Sequence, residues 1–257
     1  MGLLIAGAAV YGGLVWKLAT GGAKVSAAEF GIPDLVLCGA LMVWFGTAIA
    51  SGFNAPEKDV TQKDLEHGAA VFLAIIAVIW IFMDVRGLKP WRQLGLFRRN
   101  PVVCIGMALG LVACAYPLVA LAAKLEALAL HGEGQPQNIV EFFLNASQAT
   151  DKRAVYMTMA LAVVVAPVAE ETIFRGYIYG VLKGRVGGVA AAVVSALFFA
   201  GMHVNVGSLA PLFVLALCLT VAYEATGSLL VNIFMHALFN LVMLLLLMML
   251  AKHGAAL

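Results

Sequence analysis

Long apolar runs dominate the chain, and they leave it few folds other than a bundle of membrane helices. Eight runs fall at about 3–20, 33–51, 67–86, 101–130, 153–182, 186–204, 208–226 and 228–251. A bilayer core of ~30 Å takes about 20 apolar residues as one helix. The eight runs consume most of the 257 residues, so no sizeable soluble domain remains. Composition supports this. Sixty-three per cent of the chain is apolar and 12% charged, against ~45–50% and ~25% in soluble domains. So few charges do not cover a soluble surface, which excludes a secreted, cytosolic or nucleic-acid-coating protein. A net charge of +2 is too small to imply a polyanionic partner. The expected fold is all-α: a polytopic bundle of about eight transmembrane helices with the lipid bilayer as solvent. Such a chain is an integral, multi-pass protein, of the plasma (inner) membrane if its source is prokaryotic.

The first run lacks a basic leader and an A-x-A-like site, so it reads as a retained helix, not a signal peptide. The fourth and fifth runs exceed a straight crossing, which predicts a tilt or a break. Cys38, Cys104, Cys114 and Cys218 lie inside apolar runs without metal or redox spacing and read as packing residues.

Lysine and arginine set the orientation. Arg86, Lys89, Arg92, Arg98 and Arg99 crowd one connection, which is therefore expected to be cytoplasmic. Alternation then places Lys17, Lys24, Lys183 and Arg185 inside, and Lys58, Lys63, Lys124, Lys152, Arg153 and Lys252 outside. Both ends of the chain come out external. The stretch His131–Lys152 reads as the longest polar loop. It divides the chain into an N-terminal set of about four spans, residues 1–152, and a C-terminal set, 153–257, that carries intramembrane charge.

Charge in hydrocarbon costs several kcal/mol, so each polar residue there needs a reason. Lys124, Glu126 and Glu224 lie near span ends, where an interfacial role suffices. Three clusters resist that explanation: Glu170, Glu171 and Arg175 in APVAEETIFRGYIYG, His203 in FFAGMH, and His236 with Asn240 in FMHALFN. On a helix, Glu171 and Arg175 are i and i+4 and can pair. Glu170 is turned ~100° away and is left without that partner. Pro167 removes a backbone N–H and leaves the Val163 carbonyl without its helical donor, so a kink is expected. Gly176 and Gly180 have the small-xxx-small spacing of close packing. His236 and Asn240 share one face. A carboxylate, two imidazoles and an amide supply a base, a proton carrier and hydrogen-bond donors, which is what hydrolysis needs. Buried Glu, Arg and His also mark proton-coupled transporters, although no repeat with paired broken helices is present. Ser195, two turns before His203, is the one candidate for a serine nucleophile.

These residues fall in an order that resembles a known family. E-E-x-x-x-R (Glu170, Glu171, Arg175), F-x-x-x-H (Phe199, His203) and H-x-x-x-N (His236, Asn240), with TGSLLVNIFMHALFN around the last, are similar to the CPBP intramembrane proteases. That family takes in CAAX proteases, bacteriocin-processing enzymes and bacterial Abi proteins. The resemblance covers roughly residues 153–245. It implies a membrane endopeptidase whose Glu170 activates water, whose His203 holds or polarises it, and whose His236 and Asn240 bind the oxyanion. Glu171, Arg175 and Phe199 would support them. The implied substrate is a peptide or membrane protein, such as a prenylated CAAX protein or a bacteriocin precursor, with no nucleic acid involved. A non-proteolytic immunity or scaffold role remains the alternative within the family.

No cofactor is favoured. Were zinc or another divalent metal present, Glu170, His203 and His236 would be its ligands. The two histidines do not have the i, i+4 spacing of H-E-x-x-H, and Glu171 is assigned to Arg175, which leaves no second carboxylate to orient a metal-bound histidine. Counted from opposite membrane faces, Glu170 and His203 are expected ~10 Å apart in depth.

Overall fold

The computed structural model describes residues 2–55, 61–131, 138–148 and 152–252. All regular structure among them is helical: α1 (Gly2–Lys17), α2 (Ile32–Asn54), α3 (Gln62–Val85), the single turn α4 (Pro90–Gln93), α5 (Pro101–Ala129), α6 (Asn138–Gln148), α7 (Lys152–Val186), α8 (Gly188–Gly201), α9 (Leu209–Thr226) and α10 (Leu229–Lys252). Among the described residues, seven helices are long and apolar enough to cross a membrane. Their outer faces carry Leu3, Val36, Ile81, Val102 and Met249 in the open, the apolar surface a lipid-solvated bundle presents.

The sixth run departs from expectation. Helix α8 has 14 residues, about 21 Å of rise, too short to cross ~30 Å alone. Gly187, at φ 80°, turns the chain into it. The stretch His131–Lys152, expected as a polar loop, contains the amphipathic helix α6. Its Phe143 and Ala146 are buried, and it packs on α7 and α10. The external assignment of Lys58 lies outside the described residues.

Helix α7 is the spine of the bundle; its 35 residues run on without a break in the helix, and what changes along it is the winding. Residues Leu161–Val165 and Glu171–Tyr179 are wound as π-helix. Such widening is rare and gathers at functional sites. Helix α5 tolerates Pro117 in its interior and packs against α1, α9 and α10. Helices α2 and α3 close the other side of α7, and α2 also meets α8.

The connections assigned to the basic side do meet at one end. Arg98 Nη1 donates to the Lys24 carbonyl at 3.2 Å, and Arg99 Nε to that of Thr226 at 3.4 Å. Lys183 Nζ donates to Val25 O at 2.8 Å. Partial burial, with Arg99, Lys17 and Arg98 close by, holds the Lys24 ammonium below its usual range. Glu224, expected at an interface, is instead buried here. It pairs with Lys183 and accepts from Tyr179 Oη at 2.6 Å and from the Val25 N–H at 3.4 Å. Glu126, expected only to sit near the end of its own span, reaches another helix: it accepts from the Ala210 N–H at 2.9 Å, satisfying a free donor at the start of α9.

Candidate functional site

Pro167 determines the geometry around the first cluster. The Ala166 N–H bonds to Leu161 O, one residue further back than in an α-helix. In that register the next donor would be the N–H of residue 167, which proline lacks. The open carbonyl is therefore Ala162, one residue from the Val163 expected for an unbroken α-helix. Asn240 closes it: its Nδ2 donates to Ala162 O at 2.7 Å. One of the two amide hydrogens of Asn240 is thus committed to tying α10 to α7.

Glu171 is completely buried and accepts three hydrogen bonds. Arg175 Nη1 lies 2.8 Å and His236 Nδ1 2.9 Å from its Oε1, and Asn232 Nδ2 lies 3.2 Å from its Oε2. The pairing with Arg175 is as the spacing predicts. The contact with His236 overturns the assignment of Glu171 to Arg175 alone, because one carboxylate oxygen has lone pairs for both. Arg175 itself lies over the Phe199 ring, with Cζ 4.3 Å from its centre.

Glu170, one residue earlier, is 8% exposed, and its Oε2 is buried without a hydrogen-bond partner among the described residues. His236 Nε2 lies 3.8 Å from that oxygen. One water reaches both atoms at ordinary hydrogen-bond length from the apex of a triangle on that base. The two glutamates therefore have opposite surroundings: one saturated, the other open beside an imidazole.

His203 ends α8. Its backbone N–H goes to Ala200 O, a tightened final turn that leaves Phe199 O without its usual donor, and the ring Nδ1 takes that place at 2.9 Å. A carbonyl partner makes Nδ1 the protonated nitrogen and leaves Nε2 as an acceptor in the neutral ring. His203 forms no ion pair with either glutamate among the described residues; it joins the cluster through Phe199. Ring centres lie 5.1 Å from Phe199 to His203 and 5.8 Å from Phe199 to His236. The depth mismatch expected from the sequence disappears. Glu170 stands seventeen residues before Gly187 and His203 sixteen after it. At about 1.5 Å per residue they rise about 26 and 24 Å from that shared turn. The mismatch came from treating α8 as a full crossing.

Asn232 escaped sequence reasoning. It is fully buried and donates to Glu171 and to Leu219 O at 2.7 Å. Its signal was present, since Asn232, His236 and Asn240 repeat at i, i+4 and i+8 along one helix face. Ser195 is buried, and its hydroxyl donates to Phe174 O at 3.1 Å, a structural use within the π segment. Gly176 and Gly180 do mark close approach, Gly176 to Leu94 and to Leu229 at the start of α10, and Gly180 to Phe30 in the connection before α2. A Cβ there would lie 2.8 Å from Leu94 and 2.7 Å from Phe30.

Among the described residues no three His, Cys, Asp or Glu side chains are grouped so as to hold a metal ion. His236 already faces a carboxylate at each ring nitrogen.

Comparison with known proteins agrees with the motif resemblance. Residues 152–242, about a third of the chain, match the family described as Rce1-like: Type II CAAX prenyl endopeptidase Rce1-like. No curated protein and no solved structure matches. The matched segment runs from the start of α7 into α10 and contains every polar residue of the site. With seven helices of spanning length among the described residues, the chain is an integral, multi-pass membrane protein, and its residues 152–242 are similar to the CAAX prenyl endopeptidases.

Proposed function

We propose that this chain is an intramembrane endopeptidase in which Glu170 activates a water molecule for attack on a peptide bond. One observation carries the proposal. Two adjacent glutamates share a membrane-embedded site; Glu171 has donors on both its oxygens, while Glu170 Oε2 is buried with none among the described residues. A purely structural charge knot accounts for Glu171 and Arg175 and leaves Glu170 unexplained.

Glu171 and Asn232 fix His236 with its proton on Nδ1 and its Nε2 toward Glu170. A water held between Glu170 Oε2 and His236 Nε2 gives one proton to Glu170 as its oxygen adds to the substrate carbonyl carbon. The C–N bond then breaks, and Glu170 returns that proton to the leaving amine. The products are a carboxylic acid and an amine, with no acyl-enzyme. The remaining N–H of Asn240 is a donor for the oxyanion. His236 becomes a second donor whenever its ring carries both protons. His203, fixed through Phe199, helps hold the water.

The family match supports a peptide or membrane protein as substrate, with a prenylated C-terminal CAAX segment as the first choice; a bacteriocin precursor, suggested by the motif resemblance, is the second. The plasma (inner) membrane is the site if the source is prokaryotic. The test is purified protein in detergent with a fluorogenic prenylated CAAX peptide and an unprenylated apolar peptide. Cleavage of either, lost at least about a hundredfold in Glu170→Gln with helicity retained, is the expected result. A Glu170→Gln protein that cleaves normally overturns the proposal. A wild-type protein that cleaves neither peptide favours the immunity or scaffold role.

A further inference from the structure

Val204, next to His203, has φ 46°. A β-branched residue rarely takes this left-handed conformation, which glycine or asparagine adopts freely. A strained residue beside a site side chain is held by its surroundings, and here those belong to α2, far from the motifs in sequence.

Three rungs join α2 to α8 and the turn that follows it. A Cβ on Gly46 would lie 4.0 Å from Phe198 Cε1. A Cβ on Gly201 would lie 3.0 Å from Ile49 Cδ1. A Cβ on Gly52 would lie 2.7 Å from both γ-carbons of Val204. The rungs advance by three residues on both sides, as the i±3n rows of two parallel helices do. They alternate: a glycine on α2 receives a large side chain, a glycine on α8 receives Ile49, and a glycine on α2 receives Val204. The last rung is the tightest and falls on the strained residue.

We propose that Gly52 and Val204 are positioning residues that set where the His203 ring stands. The isopropyl group of Val204, seated against the bare Gly52 backbone, holds the turn at the end of α8 in its left-handed conformation. That conformation fixes the direction in which His203 leaves the helix and lets its Nδ1 reach Phe199 O. The N-terminal helices thereby take part in the chemistry. The inference rests on the functional reading above only through the role of His203, so it is tested with and without activity.

The experiment is a double-mutant cycle of Gly52→Ala, Val204→Ala and the pair together. Each single variant should lower kcat on the fluorogenic peptide by up to about a hundredfold with KM little changed, because a displacement of the order of 1 Å has that effect on catalysis. The double variant should recover most of the rate, because the new methyl at 52 occupies the space the valine methyls leave. Nitrogen-15 spectra of histidine-labelled protein should show the His203 ring signals shifted in each single variant and restored in the double, whether or not the protein cleaves the peptide. Single variants with wild-type kcat and unmoved His203 signals overturn the proposal, as does a double variant with no recovery. If Gly52→Ala fails to accumulate, Val204→Ala alone decides: unmoved His203 signals sink the idea. An inactive wild type with the signals moving as described would leave the positioning intact and defeat the peptidase reading instead.

Discussion

Glu171 holds His236: its Oε1 lies 2.9 Å from the ring Nδ1. The same oxygen takes the Arg175 guanidinium. Removing any one partner strands the others in a buried setting, whereas Glu170, one residue away, has no comparable set of partners.

The two positions should therefore fail differently. Arg175→Ala leaves Glu171 buried with its charge uncompensated, a loss of about 3–5 kcal/mol by the behaviour of broken buried pairs. Glu170→Gln keeps volume and hydrogen-bonding atoms and should leave stability near normal while abolishing hydrolysis. Thermal denaturation in detergent distinguishes them. Equal melting temperatures for the two variants would show that the division of labour between the glutamates is wrong.

The link between Pro167 and Asn240 predicts a compensation. Asn240→Ala leaves the Ala162 carbonyl without a donor at a cost of about 1–3 kcal/mol. Pro167→Ala supplies the missing backbone N–H. The double variant should be more stable than the sum of the single changes requires, by about 1 kcal/mol. Strict additivity would mean that Asn240 is not serving the proline-opened carbonyl.

Much of this architecture is legible in the sequence because lipid imposes a simple code: runs of about 20 apolar residues become helices. The Glu171–Arg175 pair follows from i, i+4 spacing. What escaped was whatever depends on register or on a neighbouring helix. The π winding of Leu161–Val165 moved the open carbonyl from Val163 to Ala162, and no local pattern announces that. Helix α8 looked like a crossing because the apolar run passes through its terminal turn. Glu224 looked interfacial by position, yet the fold brings Tyr179, Lys183 and Val25 around it. Asn232 was legible as one member of a polar face with His236 and Asn240, but that spacing does not tell which carboxylate of another helix meets it.

The Glu224 network holds the connection between α1 and α2 against the bundle, through Val25 N–H on Glu224 and Val25 O on Lys183. Lys183→Met removes both the counter-charge and one of these bonds. Amide hydrogen exchange in residues 24–31 should then quicken, with α10 unchanged. Unaltered exchange in that segment would show that other contacts, such as Gln93 with Ser26 O, suffice to hold it.

Ser195 offers a control for the chemistry. Its hydroxyl serves the Phe174 carbonyl, so Ser195→Ala should lose stability on the order of 1 kcal/mol and keep kcat close to wild type. A collapse of kcat with normal stability, or labelling of Ser195 by a fluorophosphonate, would replace the water mechanism with an acyl-enzyme.

Metal is the last question. Glu170 and His236 alone give two donors 3.8 Å apart, and a catalytic zinc takes three protein ligands and a water. The third would be His203, whose Nδ1 is committed to Phe199 O and whose Nε2 would have to turn toward the pair. Glu171 on His236 Nδ1 is the kind of partner that orients a metal-bound histidine, so the site lacks a ligand, not the support for one. We favour water activated by Glu170 without a metal. Elemental analysis of purified active protein should then give substoichiometric zinc, and prolonged chelation should leave hydrolysis intact. Stoichiometric metal, with activity lost to chelator and restored by one ion alone, would make Glu170, His203 and His236 ligands. In that case His203→Ala should abolish metal retention, measured on the protein itself and independent of turnover.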